Sequence, residues 1–478
     1  MKNILKFKKL NKWVIAIMDI GLIMLGFYGA FMFRYGFEPP ARNFEPYINL
    51  IPFIILFSFI YINIYDLSEV IKKRISDMGI SIFLSLILLQ ITTVVLTFIF
   101  RGFAFPRSVF IISFVLQFLL LMIWKAILIK LTRKIVGIYQ VMIIGDKKES
   151  EIIAKKLLID HKESWHIKYM VNDYDFEKIS EIIDEVDVLV VCPKLEKYKK
   201  SKLVTLSLNK NKKVYIIPEL YEIMLVKSQL TNFDDMPGLE IEQLQLSVED
   251  KFIKRAFDII VSSILIIPSL PFMMISAILV KLSSKGPILF KQERLTINNR
   301  PFNLYKFRTM VNNAEKETGP VLATGNDSRI TKVGSFLRMT RLDELPQLFN
   351  VLKGDMSIVG PRPERDFFAN QFIKENNDFG YRTNVKAGIT GLAQVYGKYT
   401  TSHEDKLRYD LMYIRNYSFP LDIVLILKTI KTMFTKSSSK GLENDKTLQQ
   451  LIKEQDKIVF SEVGATSNER KTVFKNGI

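Results

Sequence analysis

The sequence predicts a membrane protein of α/β class. It reads as a four-helix transmembrane bundle, a Rossmann-like parallel-sheet domain, and a second α/β domain entered through a re-entrant membrane helix. Three observations carry this. Four apolar stretches of near-bilayer length fill residues 1–134. Strand-like runs alternate with helical stretches over residues 139–245. A fifth apolar segment, within residues 251–285, carries two prolines at mid-length and basic residues at both ends.

The composition bounds the class. The chain has 478 residues, 48% of them hydrophobic, yet 67 Lys and Arg and a net charge of +18. At that length two or three domains are expected. Apolar spans and basic cytoplasmic parts reconcile the two halves of this balance. No basic helix with interleaved aromatics and no zinc-ligand spacing is present, so anionic lipid and phosphate are the expected partners and nucleic acid is not. The single Cys192, in VDVLVVCP, reads as a buried strand residue. It permits no disulfide within the chain, which fits a reducing compartment for the soluble parts.

The spans run roughly Trp13–Phe33, Tyr47–Tyr65, Met78–Phe100 and Val109–Ile129. Lys2, Lys6, Lys8, Lys9 and Lys12 precede the first, Lys72, Lys73 and Arg74 separate the second and third, and Lys130, Arg133 and Lys134 follow the fourth. The other two loops hold only Arg34 with Arg42, and Arg101 with Arg107. By the positive-inside rule both ends of the bundle face the cytoplasm. Arg34 and the Pro39–Pro40 turn, rather than a small-residue cleavage site, follow the first span, which argues against a cleaved signal peptide. Asp19 is expected to face the bundle interior or interface, and Lys125 to snorkel toward a membrane surface.

From Tyr139 the pattern becomes soluble α/β. The strands are YQVMII, IKYMV, VDVLVV and KKVYIIP, with helices between them, and the domain is expected to close near Gln245. Dinucleotide binding needs glycines where the backbone meets a pyrophosphate. Only Gly145 is present, followed by Asp146, Lys147 and Lys148, so this CoA- or nucleotide-binding-like module is read as structural or regulatory.

In the segment Lys251–Lys281, Pro268 and Pro271 each remove a backbone donor, so a break or sharp kink is expected there. Lys251, Lys254 and Arg255 lie before the apolar run, and Lys281 and Lys285 after it. A fifth span would export one basic end and everything downstream, whereas a re-entrant helix keeps both ends cytoplasmic.

The region after it, residues 286–436, holds the chemistry. A strand–loop–strand unit carries Gln292, Arg294, Lys306 and Arg308; Arg329, Arg338 and Arg341 follow. The adjacent carboxylates Asp343 and Glu344 precede a helix start at Pro346, and Arg362 stands between Pro361 and Pro363. Two carboxylates among many cations at a membrane surface suggest an anionic nucleophile and a phosphorylated substrate. His161, His166 and His403 are too scattered for a metal site or a Ser/His triad.

Seven ordered blocks then resemble the bacterial sugar transferases, the monotopic phosphoglycosyl transferases that act on polyprenol phosphate. They are Lys254-Arg255-Ala256-Phe257-Asp258; Gly286-Pro287 with Phe290 and Gln292; Lys306-Phe307-Arg308-Thr309-Met310; Leu342-Asp343-Glu344-Leu345-Pro346-Gln347; Gly354-Asp355-Met356-Ser357; Gly360-Pro361-Arg362-Pro363; and Gly388-Ile389-Thr390-Gly391. The resemblance covers about Phe252 to Phe434 and is closest to the family's long members, which carry four spans and a Rossmann-like domain ahead of the catalytic domain. Departures are Arg294-Leu295-Thr296-Ile297-Asn298-Asn299 where two glycines are usual, Leu270 for a Ser before Pro271, and Ala387 and Leu392 for a Pro and a Trp. Asn299 tolerates the left-handed backbone that such a turn needs.

The resemblance implies a multi-pass protein of the bacterial cytoplasmic membrane, its catalytic domain on the inner leaflet. The implied reaction transfers sugar-1-phosphate from a UDP-sugar to undecaprenyl phosphate and releases UMP, as the first membrane step of exopolysaccharide, capsule or O-antigen repeat-unit synthesis. It implies Asp343 as nucleophile through a phosphosugar-aspartyl intermediate, Glu344 beside it, and Mg²⁺ held by Asp343 and Glu344. Phosphate binding then falls to Arg338, Arg362, Lys306 and Arg308, with Gln292, Arg294, Arg329 and Arg341 in lesser roles. The residues agree independently: the N-terminal helix end near Pro346, with Arg338 and Arg341, is expected to keep Asp343 ionised. Homodimer assembly is one role open to the bundle. Competing readings are a membrane-bound nucleotide-sugar hydrolase and a non-enzymatic nucleotide-sensing scaffold. Residues 437–478 form a polar tail with a short helix expected at Thr447–Ile458 and no assigned function.

Overall fold

The computed structural model describes residues 12–70, 74–160, 165–172, 174–312, 327–398, 401–434, 461–462 and 471–472. Lys2, Lys6, Lys8, Lys9, Lys72, Lys73, His161 and the helix expected at Thr447–Ile458 lie outside them. The chain divides into two compact units, one formed by residues 1–217 with 446–478, the other by residues 218–445.

The first unit opens with four helices long and apolar enough to cross a membrane: α1 (Lys12–Tyr35), α2 (Ala41–Ile64), α3 (Ile75–Ile99) and α4 (Arg107–Val136). Each contains the span expected from hydropathy or nearly so. Inward-facing Phe27, Phe31, Leu50, Ile54, Ile82 and Leu86 form their shared core. Polar contacts tie the helices where apolar packing alone gives little direction. Gln117 donates to the Ile23 carbonyl at 3.0 Å beside Gly26, where an added Cβ would lie 2.4 Å from Gln117. Asp19 faces the interior as expected. Lys125 does not snorkel: it is 1% exposed and bonds Asp19 at 2.6 Å, while Trp124 donates to the same carboxylate at 3.1 Å. A carboxylate one helix away satisfies the ammonium inside the bundle, and hydropathy along α4 carries no sign of that partner.

A parallel sheet follows: β1 (Tyr139–Ile144), α5 (Lys147–Asp160), β2 (Trp165–Val171), α6 (Phe176–Ile182), β3 (Val188–Val191), α7 (Lys197–Asn209) and β4 (Lys213–Ile216). Strand order is β2-β1-β3-β4, and two dipeptide strands, Ser461–Glu462 and Lys471–Thr472, extend it beyond β2. Along β1, Val141 and Ile143 enter one core and Met142 and Ile144 the other, so both faces are covered, as a parallel sheet requires. Gly145 (φ +157°) lets the end of β1 pass Cys192, whose Cβ would be 2.2 Å from an added methyl. That close approach is the structural use of the one glycine in this turn.

The sequence reading closes this domain near Gln245, but the structure moves the boundary to Ile217. Helix α8 (Leu220–Leu225), the hairpin β5 (Gln229–Phe233) and β6 (Met236–Glu240), and the following loop belong to the second unit. Ile223, Leu244 and Leu246 are buried in that unit's core, and Arg408 donates to the Pro218 carbonyl at 3.0 Å.

The long helix α9 (Val248–Ser283) is N-capped by Ser247, whose side chain accepts from the Asp250 amide. Of the two expectations, a break and a kink, the structure excludes only the first: the helix runs without an unwound stretch through Pro268 and Pro271. Each proline removes a single donor, and Ser269 donates its hydroxyl to the Leu265 carbonyl at 2.6 Å within the same stretch. Its packed face in the first half is polar, with Lys254, Asp258 and Ser262 buried, while Ile260, Ile264, Ile267, Phe272, Met274 and Ile278 are exposed. Apolar-outward patterning suits lipid, not water.

The rest is compact. An antiparallel hairpin, β7 (Leu289–Leu295) and β8 (Pro301–Phe307), leads to α10 (Lys332–Thr340) and α11 (Gln347–Lys353). Then come β9 (Ser357–Val359), α12 (Asp366–Glu375), β10 (Gly388–Thr390), α13 (Leu392–Tyr396), α14 (His403–Arg415) and α15 (Phe419–Phe434). Strands β9 and β10 pair in parallel. The hairpin turn uses left-handed Asn298 (φ 55°) and Asn299 (φ 57°), so both asparagines stand in for the usual glycines.

Candidate active site

The Lys-Arg-Ala-Phe-Asp block of α9 is an anchor. Lys254 bonds Asp422 of α15 at 2.6 Å and the Tyr413 hydroxyl at 3.0 Å. Arg255 caps the end of α11 by donating to the Val351 and Leu352 carbonyls, both at 2.7 Å. The Asp258 carboxylate accepts from the Ser357 hydroxyl and the Ile358 amide, both at 2.9 Å. These bonds fix α11 and β9, the elements flanking the candidate site.

The adjacent carboxylates sit in a tight turn. Helix α10 is capped at its start by Thr331, which accepts from the Gly334 amide at 2.9 Å. It stops at Arg341, which adopts left-handed angles (φ 59°), and a 3₁₀ turn over Leu342–Glu344 joins it to α11. Asp343 thus lies one turn ahead of α11, close to its N-terminal end. It is 7% exposed, and its Oδ1 is buried without a hydrogen-bond partner among the described residues. An orphaned buried oxygen is costly and calls for an external partner.

Glu344 is the hub of the cations. Lys306, on β8, donates to Oε1 at 2.8 Å; Arg362 approaches the same oxygen at 3.4 Å and Arg341 the other at 3.8 Å. Burial pushes Glu344 up, but Lys306, Arg362 and Arg341 outweigh it and hold the carboxyl below the usual range. Burial lowers the Lys306 ammonium, and Glu344 raises the Arg362 guanidinium. Asp343 shifts the opposite way from Glu344 yet stays largely ionised near neutral pH. Burial, then the neighbouring Glu344, push it up to about 6, and Lys306, Arg338 and Arg341 offset only part of that.

The structure therefore gathers Asp343, Glu344, Lys306, Arg341 and Arg362. Arg338 donates to the Thr309 hydroxyl at 2.8 Å and lies close enough to act on Asp343. Arg294 bonds Gln292 and donates to the Pro363 carbonyl at 3.3 Å, bracing the Arg362 turn. A shallow cleft is lined by Arg294, Lys306, Gln347 and Arg362, among others. One expected phosphate ligand, Arg308, and one residue expected in a lesser role, Arg329, are engaged elsewhere. Arg308 is 6% exposed and donates to the Ser284 and Lys285 carbonyls at 2.7 and 3.1 Å, so it holds the end of α9. Arg329 pairs with Asp327 at 2.6 Å.

No cluster of three or more metal-ligating side chains occurs among the described residues. Mg²⁺ commonly needs only one or two carboxylates when substrate phosphates complete its shell. The paired carboxylates of Asp343 and Glu344 fit that requirement, although Glu344 already serves three cations. Sequence reasoning missed Arg382, Glu364 and Asp410, which surround the Arg362 turn from behind. They lie 28 residues apart at the closest hydrogen-bonded pair, with no short-range pattern to link them.

Comparison with known proteins gives one family match. Residues 249–436 fit the model of the bacterial sugar transferase family. A UDP-N-acetylgalactosamine-undecaprenyl-phosphate N-acetylgalactosaminephosphotransferase of Aeromonas hydrophila is 42% identical over 222 residues, 45% of this chain and 52% of that protein. A UDP-glucose:undecaprenyl-phosphate glucose-1-phosphate transferase of Klebsiella pneumoniae is 38% identical over 231 residues, 47% of this chain and 50% of that one. A putative undecaprenyl-phosphate N-acetylgalactosaminyl 1-phosphate transferase of Bacillus subtilis is 45% identical over 158 residues, 33% of this chain and 78% of its own. The chain spans about half the length of the Aeromonas and Klebsiella proteins that it matches.

Proposed function

The chain belongs to the bacterial sugar transferase family, and on that premise we propose that it transfers sugar-1-phosphate from a UDP-sugar to undecaprenyl phosphate. The observation that carries this is the buried Oδ1 of Asp343, without a partner among the described residues, beside a carboxylate neutralised by three cations. Such an oxygen is poised to bond to an incoming phosphorus.

The chemistry divides in two. Asp343 attacks the sugar-linked phosphorus, the bond to the bridging oxygen breaks, and UMP leaves with that oxygen. A phosphate oxygen of the lipid then attacks the phosphosugar-aspartate, freeing Asp343 and yielding the diphosphate-linked sugar. A soluble donor and a lipid acceptor thereby use one site in turn. Lys306 and Arg362 are placed to stabilise charge on the diphosphate, Arg362 as a planar fork. Glu344 holds both in line through its Oε1. Asp343 and Glu344 would hold Mg²⁺, which would supply further neutralisation of the diphosphate.

Placement in the bacterial cytoplasmic membrane, with this unit on the cytoplasmic face, is supported by the basic loops of the bundle and by α9. Both ends of α9 bond the same unit, Lys254 to Asp422 at one and Ser284 to Arg308 at the other. A helix of 36 residues is about 54 Å long, more than a bilayer core, so a straight span would strand one end away from those partners. Entry and exit on one face is therefore the topology we infer, with α9 bent near Pro268 and Pro271 and not interrupted there.

The test offers UDP-glucose, UDP-galactose and N-acetylated UDP-sugars with undecaprenyl phosphate and Mg²⁺. Lipid-dependent UMP release with a lipid-linked sugar diphosphate is expected for at least one donor. UMP release indifferent to lipid would instead favour a hydrolase, and no release from any donor would favour a scaffold.

A further inference from the structure

The turn that presents Arg362 is held by its carbonyls. Four successive ones are taken by four donors: Pro361 O by the Gly388 amide at 2.8 Å, Arg362 O by Arg382 at 2.8 Å, Pro363 O by Arg294 at 3.3 Å, and Glu364 O by the Leu295 amide at 3.0 Å. The flanking prolines have fixed φ, and a residue before proline is confined to extended backbone. Within that extended range the tilt of the Arg362 carbonyl still varies, and with it the angle at which the side chain leaves the anchored turn. Arg382 takes that carbonyl.

Arg382 is itself fixed. It is 6% exposed, bonds Asp410 of α14 through Nε at 3.1 Å and through a terminal nitrogen at 2.8 Å, and lies 3.6 Å from Glu364. Its guanidinium stands 4.8 Å from the Phe379 ring centroid. Asp410 is 1% exposed. Burying such a pair gains little stability over apolar residues of the same shape. Its distinctive output is a planar fork aimed at one backbone oxygen.

We infer that Arg382, held by Asp410, is a positioning residue that aims the Arg362 guanidinium at the phosphate cleft. The inference rests on the proposed transfer reaction, in which Arg362 contacts the donor diphosphate. Misplacement of a charged group by about an ångström costs on the order of 10²-fold in rate.

The test uses the full chain in detergent with Arg382→Lys, which keeps the charge and loses the fork, and Asp410→Asn, which keeps Arg382 and loosens its hold. Amide exchange at Gly388 and Leu295, thermal melting, and kcat and KM for the donor are measured, the kinetics also in an Arg362→Gln background. Expected for Arg382→Lys are an unchanged melt, exchange at both amides faster by about tenfold, and kcat lower by on the order of 10²-fold with a smaller rise in KM. In the Arg362→Gln background the same change should cost less than about twofold, since what it aims is gone. Asp410→Asn should move the same readouts in the same direction and decides the matter if Arg382→Lys fails to fold. Unchanged exchange, or an equal loss in both backgrounds, overturns the inference. Should the wild type transfer no sugar phosphate, the proposed function falls, while the exchange rates still decide whether Arg382 clamps the turn.

Discussion

Asp343 is held in a condition that folding alone would not select. Its carboxyl is buried, has one oxygen without a partner among the described residues, and is pushed up to about 6 by burial and by Glu344. Asp343→Asn keeps the shape and removes the charge. We expect it to abolish transfer, by on the order of 10³-fold or more, because an amide is a poor nucleophile. It should also stabilise the fold. The native state binds the Asp343 proton more tightly than the unfolded chain, so wild-type stability falls as pH rises from about 4 to about 6 and then levels. The Asn variant escapes that loss. Its melting advantage should therefore grow across this window to about 1–3 kcal/mol and stay level above it. Wild-type kcat/KM should rise with pH up to about 6, as Asp343 ionises. An Asn variant with full turnover, or one less stable at pH 8 than at pH 4 relative to wild type, would remove Asp343 from this role. At this scale the sequence showed which residues meet: the Asp-Glu pair, Lys306 and Arg362. It did not show their balance of charge. The cations converge on Glu344, not Asp343, because the turn at left-handed Arg341 orients the two neighbours differently.

Helix α9 shows what local pattern can and cannot say. Length, apolarity and the basic ends are local, and the helix stands where they place it. Continuity through Pro268 and Pro271 depends on the rest of the hydrogen-bond ladder, which no two-residue rule anticipates. The role of Arg308 was likewise hidden, since the carbonyls it binds at Ser284 and Lys285 come into reach only after folding. The Asn298–Asn299 turn, a purely local matter, was legible. The proposed same-side topology can be tested with single cysteines at Lys251 and Lys285, both exposed, in a Cys192→Ser background. Neither should react with an impermeant reagent added outside intact cells, and both should react after lysis. Labelling from outside at Lys285 alone would mean a fifth span and would put the candidate site on the other side of the membrane.

For the whole molecule, every group assigned to the reaction lies in the unit formed by residues 218–445. The spans and the parallel sheet were legible because hydropathy and strand–helix alternation repeat over tens of residues. The boundary was not, because Ile223, Leu244 and Leu246 declare their core only through contacts with residues far along the chain. A fragment cut near Leu246 would strip those side chains away. A fragment Pro218–Asp445 keeps them, and in detergent it should melt cooperatively and transfer sugar phosphate within about tenfold of the full chain. A well-folded fragment with no transfer would show that the first unit supplies part of the site.

The central claim is a covalent bond to Asp343. The direct measurement incubates the protein with a UDP-sugar that supports transfer and no lipid acceptor, then maps the mass of the peptide containing Asp343. A phosphosugar adduct on Asp343, formed with matching UMP release and discharged when undecaprenyl phosphate is added, is the predicted result. UMP release only after lipid is added, with no adduct at Asp343, would contradict the account.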